Sequence, residues 1–144
     1  MYAAQAAVRN RFITDGTGTV SQERLLIMLY ERLLRDIDDA HTALGEPRNV
    51  AAAHEALAHA QDIVAELHSA LNPELWEGGE EMASLYTYLA TLLMQANLEK
   101  SQAKVAEARS IVAPMLATWQ EAYQAVTTPA HAAKVGTGTL DVAG

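Results

Sequence analysis

The sequence contains no cysteine and few aromatic residues: two Trp, five Tyr and one Phe in 144 residues. The absence of cysteine excludes a disulfide framework, a thiolate metal site and a cysteine nucleophile. No apolar run approaches the roughly 20 residues that a membrane-spanning helix requires. Residues 1–12 lack the positive cluster and long apolar stretch of a secretory signal. We therefore expect a cytoplasmic protein that does not insert into a membrane.

Positive charge is also scarce, because 10 Lys and Arg stand against 18 Asp and Glu and give a net charge of −8. Such a balance repels phosphate backbones and anionic lipid surfaces. The sequence therefore predicts no nucleic-acid partner. Its length suits one domain with one hydrophobic core, and half of the residues are apolar.

Alternating strand patterns are missing as well, and the periodicity is helical throughout. Apolar residues recur every three or four positions in four segments, which predicts an all-α, antiparallel up-and-down four-helix bundle over residues 21–125. Flexible tails are expected at 1–20 and 126–144, where Gly, Thr and Pro accumulate. Ser21 is the predicted N-cap of the first helix, and Pro114 is expected to bend the fourth.

The helix boundaries follow from residues that cap or break helices. The first helix should end at Gly45 and Pro47, and the second should begin near Asn49. A break near Lys100 and Ser101 should separate the third helix from the fourth.

Motifs of known chemistry are missing too. Bundles that hold two metal ions use Glu-x-x-His pairs, of which this chain has none, and the spacing of His54, His59 and His68 places them on different faces. No serine lies in a Gly-x-Ser-x-Gly turn, and no glycine-rich loop leads into a Lys and Thr. We predict no metal, no cofactor and no enzymatic activity.

Large apolar residues are more numerous than a seam of two per heptad needs. Most of them can widen the core, whereas any that remain exposed would form a groove for an amphipathic peptide helix. The residues that we predict to contact such a partner are Leu34, Ile63, Tyr88, Met94 and Ile111.

Several separated motifs resemble the FliS family of flagellar export chaperones. The run LLIMLY at 25–30 follows the capping serine, and Leu85, Tyr86, Tyr88 and Leu89 form a Leu-Tyr-x-Tyr-Leu pattern. The order of the motifs supports the resemblance more than any one of them does. The similarity covers about residues 21–123, from the capping serine through 60–71 and 95–98 to the region of Trp119.

The resemblance implies a chaperone that binds the disordered C-terminal segment of flagellin, prevents premature polymerisation and assists delivery to the flagellar type III export apparatus, with an export gate component as a second partner. It also implies that residues 1–20 can cover the client groove through Val8, Phe12 and Ile13. A frayed terminus without a role is the alternative for this segment. For the whole chain, the alternative is a structural bundle subunit that forms a homo-oligomer.

Overall fold

A computed structural model describes residues 21–75 and 77–127 of the chain. Its helices are α1 (Gln22–Ala43), α2 (Val50–Ala70), α3 (Gly79–Glu99) and α4 (Gln102–Thr127), with a 3₁₀ turn at Pro73–Leu75. The described residues contain no strand, so the predicted all-α class is confirmed. In that same part of the chain, no helix is both long and apolar enough to cross a bilayer.

The helix ends lie where the capping residues predict them. The backbone N–H of Arg24 donates to Oγ of Ser21 at 3.1 Å, and the N–H of Ala52 donates to Oδ1 of Asn49 at 3.0 Å. Each bond satisfies an amide that the first helical turn leaves without a partner. The break between α3 and α4 is confirmed at Lys100, which adopts a left-handed conformation with φ of 52°.

Each helix packs chiefly against two others. Helix α1 contacts α2 and α4, and α3 contacts the same two helices from the opposite side. Because short connections join helices that are neighbours in space, consecutive helices run antiparallel, as predicted. Pro114 lies inside α4, which also includes Val126 and Thr127 from the predicted tail. The bend expected at Pro114 stays a prediction.

The core is formed by the helical stripes that the sequence periodicity predicts. Alanines such as Ala53, Ala60 and Ala96 are fully buried and let the helix axes approach closely. The largest fully buried apolar side chains come from all four helices: Tyr30, Leu33, Ile37, Leu57, Val64, Leu89, Leu93, Val105 and Val112.

A buried carboxylate links α1 to α2. The side chain of Asp36 is 4% exposed, accepts a hydrogen bond from Nε of Arg32 at 3.1 Å and bonds through its other oxygen to Nδ1 of His59. Burying a carboxylate is costly unless partners satisfy it. Arg32 and His59 therefore stabilise this side chain in the interface between the two helices.

Replacing His59 by alanine is expected to lower the free energy of unfolding by about 1–2 kcal/mol, because Asp36 then lacks one of its two partners in a buried site. Urea denaturation at neutral pH measures the loss. Arg109→Ala is the control, since it removes an exposed pair with Asp38 between α1 and α4 and should cost less than about 1 kcal/mol. Equal losses in the two variants would contradict a stabilising role for the buried contact.

Candidate functional site: an apolar cavity at one end of the bundle

An open cavity of about 750 Å³ lies at the end of the bundle where α1 and α3 begin and α2 ends. Its volume falls in the range typical of binding pockets. None of the described residues that line it carries a charge. The apolar part of its wall consists mainly of Leu25, Leu26, Leu29, Leu67, Leu75 and Met82.

The connection between α2 and α3 shapes the mouth of this cavity. Helix α2 ends at Ala70 with Leu71 as its C-cap, and the 3₁₀ turn Pro73–Leu75 then packs against α3. Gly79 is buried in the first turn of α3, so close to Pro73 that a Cβ at this position would lie 2.6 Å from the proline Cα. Because Gly79 has no side chain, the turn can approach the helix and hold Leu75 at the mouth.

Two tyrosine hydroxyls form a buried hydrogen bond at this end of the bundle. Tyr86 lines the cavity, and its hydroxyl lies 2.7 Å from that of Tyr30, which is fully buried. Trp119 also lines the cavity and packs edge-on against Tyr30, with ring centroids 6.2 Å apart. Burial raises the pKa of both tyrosines above the ordinary value of 10.0, so both hydroxyls are neutral at physiological pH.

A second apolar surface lies on the outer side of α3. Between Met82 and Leu98 this helix has no charged residue. Three of its large side chains are exposed: Tyr88 at 49%, Met94 at 47% and Leu98 at 77%. Clusters of exposed apolar side chains are typical of interaction surfaces. We call Met94 and Leu98, which lie one turn apart, the outer face of α3.

The predicted contact residues do not converge on one groove. Tyr88 and Ile111 lie along the edge between α3 and α4, because the hydroxyl of Tyr88 donates to Glu107, one turn before Ile111. Leu34 lies one turn before Asp38, on the α1 edge that faces Arg109 of α4.

The remaining two predicted residues differ in exposure. Ile63 is 3% exposed and belongs to the core, whereas Met94 projects from the outer face of α3. The role of all five predicted residues in binding stays a prediction. Val8, Phe12 and Ile13, the predicted cap, lie outside the described residues.

Sequence reasoning did not identify the cavity as a site. Leu25 belongs to the apolar run at 25–30, but no periodic pattern includes Leu75, which lies in a connection. A large apolar residue between Pro73 and Gly78 was the available signal. As for metals, no three histidine or carboxylate side chains come together among residues 21–75 and 77–127 to hold an ion.

Two comparisons relate the chain to known proteins. Residues 4–126 match the family model of the flagellar protein FliS. The chain is also similar to the flagellar secretion chaperone FliS of Bacillus subtilis strain 168, with 29% identity over 117 residues. That alignment spans 81% of this chain and 86% of the Bacillus protein.

Proposed function

Because the chain belongs to the FliS family and is a flagellar export chaperone, we propose that it binds the disordered C-terminal segment of flagellin in the cytoplasm. Binding would prevent premature polymerisation and assist delivery to the flagellar type III export apparatus. An export gate component is the second partner in this proposal.

The observation that carries the proposal is the apolar cavity at the end of the bundle. A client segment that is disordered when free must bury apolar side chains on binding to offset its ordering entropy. A cavity of about 750 Å³ whose described lining residues carry no charge can accept such side chains. This favours a client helix or turn that anchors one or more large apolar residues there.

The outer face of α3 and the neighbouring Tyr88 add contact area to the proposed client surface. Tyr88 and Met94 are half exposed, and an amphipathic client helix can cover them without a change in the bundle. Leu34 and Ile111 are partly buried and can add contact area at the helix edges. Ile63 would require movement of α2 or its neighbours, since it packs within the core.

Two leucines with matched exposure test which surface anchors the client. Leu75 is 75% exposed at the mouth of the cavity, and Leu98 is 77% exposed on the outer face of α3. Leu75→Asp is expected to weaken binding of a synthetic flagellin C-terminal peptide at least about tenfold, because the client would meet a carboxylate at an apolar site. Titration calorimetry on the full chain measures the affinity.

Leu98→Asp is the matched control and should weaken binding by less than about threefold, because in this proposal the outer face of α3 only adds contact area while the cavity anchors the client. Both positions are exposed, so circular dichroism should show folded protein in each case. If only Leu98→Asp lowered the affinity for the peptide, the outer face of α3 and not the cavity would be the anchoring site. Absence of saturable binding by the unmodified chain would reject flagellin as the client, and sedimentation would then test the homo-oligomer alternative.

A further inference from the structure

We propose that the Tyr30 and Tyr86 hydroxyl pair makes the cavity selective for a client group that combines an apolar body with a neutral hydrogen-bond acceptor, such as a carbonyl or amide oxygen. The inference rests on the proposed use of this cavity for client binding. It adds a chemical requirement, since an apolar cavity alone would favour hydrocarbon side chains without distinction.

The tyrosine pair carries one more hydrogen than the contact between its two oxygens can use. Each tyrosine hydroxyl carries one hydrogen, and a single hydrogen occupies the 2.7 Å contact between the two oxygens. Whichever tyrosine donates in that contact, the hydrogen of the other hydroxyl requires a different acceptor. Within the described residues, neither hydroxyl donates a hydrogen bond to any other group. Trp119 cannot serve, because an indole N–H only donates.

Tyr86 connects the hydroxyl pair to the cavity. It is 3% exposed as a residue yet contributes to the cavity wall, and so does Trp119, whose ring packs edge-on against Tyr30. A group that fills the inner end of the cavity therefore lies beside the tyrosine pair. A buried donor without an acceptor is costly, so an occupant that accepts this hydrogen bond binds better than an equally large one that does not.

The lining of the cavity also disfavours a charged occupant. The leucines and Met82 in the wall provide no counter-charge for an ionised group. A carboxylate would lose more hydration free energy than one hydroxyl can return. A neutral oxygen loses much less on entering, and the remaining hydroxyl hydrogen compensates for the loss. The structure therefore favours a neutral acceptor over both a charged group and a pure hydrocarbon.

Two small probes test this selectivity without flagellin. Ethylbenzene and acetophenone have similar size and shape, and acetophenone carries a carbonyl oxygen. Binding of each to the full chain is followed by methyl NMR of the leucines and of Met82. In Tyr86→Phe, the affinity for acetophenone relative to ethylbenzene should fall about three- to tenfold, which corresponds to the loss of one hydrogen bond.

Tyr30→Phe is the matched variant, because it removes the partner of the Tyr86 hydroxyl and keeps Tyr86 in the cavity wall. It should retain or increase the relative affinity for acetophenone. The ratio of the two affinities is the readout, since a change in cavity shape affects both probes. An unchanged ratio in Tyr86→Phe, or no binding of either probe to the unmodified chain, would overturn the proposal. The ratio of the two probe affinities can be measured even if flagellin does not bind. The probe experiment and the flagellin titration are therefore independent.

Discussion

Replacing Leu89 by alanine is expected to lower the free energy of unfolding by about 3 kcal/mol. Leu89 is fully buried on α3 and belongs to the core that all four helices share. The substitution removes apolar contacts and leaves a cavity that neighbouring helices can fill only in part, and both effects destabilise the folded state. Urea denaturation followed by circular dichroism measures the change, with an unchanged denaturant dependence as the sign of two-state unfolding.

Leu98→Ala on the same helix is the control for this experiment. Leu98 is 77% exposed, so its removal should change the free energy of unfolding by less than about 0.5 kcal/mol. Comparable losses of unfolding free energy in the two variants would contradict the burial of Leu89 and the exposure of Leu98. They would indicate that Leu98 is covered in solution, as the homo-oligomer alternative requires, and the loss at Leu98 would then depend on protein concentration.

The sequence was sufficient to predict the helices because their determinants are local. The caps at Ser21 and Asn49 bond to amides three residues ahead, so the pattern is visible within a few positions. The core stripes follow the helical period, and Leu33, Leu57 and Leu89 are all fully buried as predicted. Short connections then specify which helices are neighbours.

The candidate site was less accessible to prediction, because it depends on contacts between distant segments. Helical periodicity gives the direction of a side chain around the axis of its helix. It does not show how much of the helix surface the two neighbouring helices cover. Ile63 lies beyond the narrow core stripe predicted for α2 and is nevertheless buried, since α2 packs against both α1 and α3. Met94 also lies beyond the core stripe predicted for its helix, but it remains exposed.

The cavity itself requires four elements to meet at one end of the bundle. Gln22, Ala70, Met82 and Trp119 line it from four different helices. Their sequence separations leave no local pattern by which the cavity could be recognised. The pairing of Tyr30 with Tyr86, 56 positions apart, is equally non-local. Hence the sequence predicted a groove in general terms, and the structure supplied its position.

Gly79 provides a second prediction with a large effect. The structure buries this glycine in the first turn of α3, against Pro73. A Cβ added here would lie 2.6 Å from the Pro73 Cα and 2.9 Å from its carbonyl carbon, and closer still to the carbonyl oxygen. These are backbone atoms, so relief requires the 3₁₀ turn to move.

We therefore expect Gly79→Ala to lower the free energy of unfolding by about 2–3 kcal/mol, as overpacking at a rigid contact does. Gly45→Ala is the control, because its nearest neighbours would be the Thr42 carbonyl oxygen at 3.2 Å and the flexible Gln102 side chain at 3.6 Å. Its cost should stay below about 1 kcal/mol. Since the displaced turn carries Leu75, Gly79→Ala should also weaken binding of the flagellin peptide at a temperature where the variant is still folded. Equal stability of the two alanine variants would refute the close contact between Pro73 and α3. If Gly79→Ala were less stable but bound the peptide with full affinity, the position of the 3₁₀ turn would have no role in client binding.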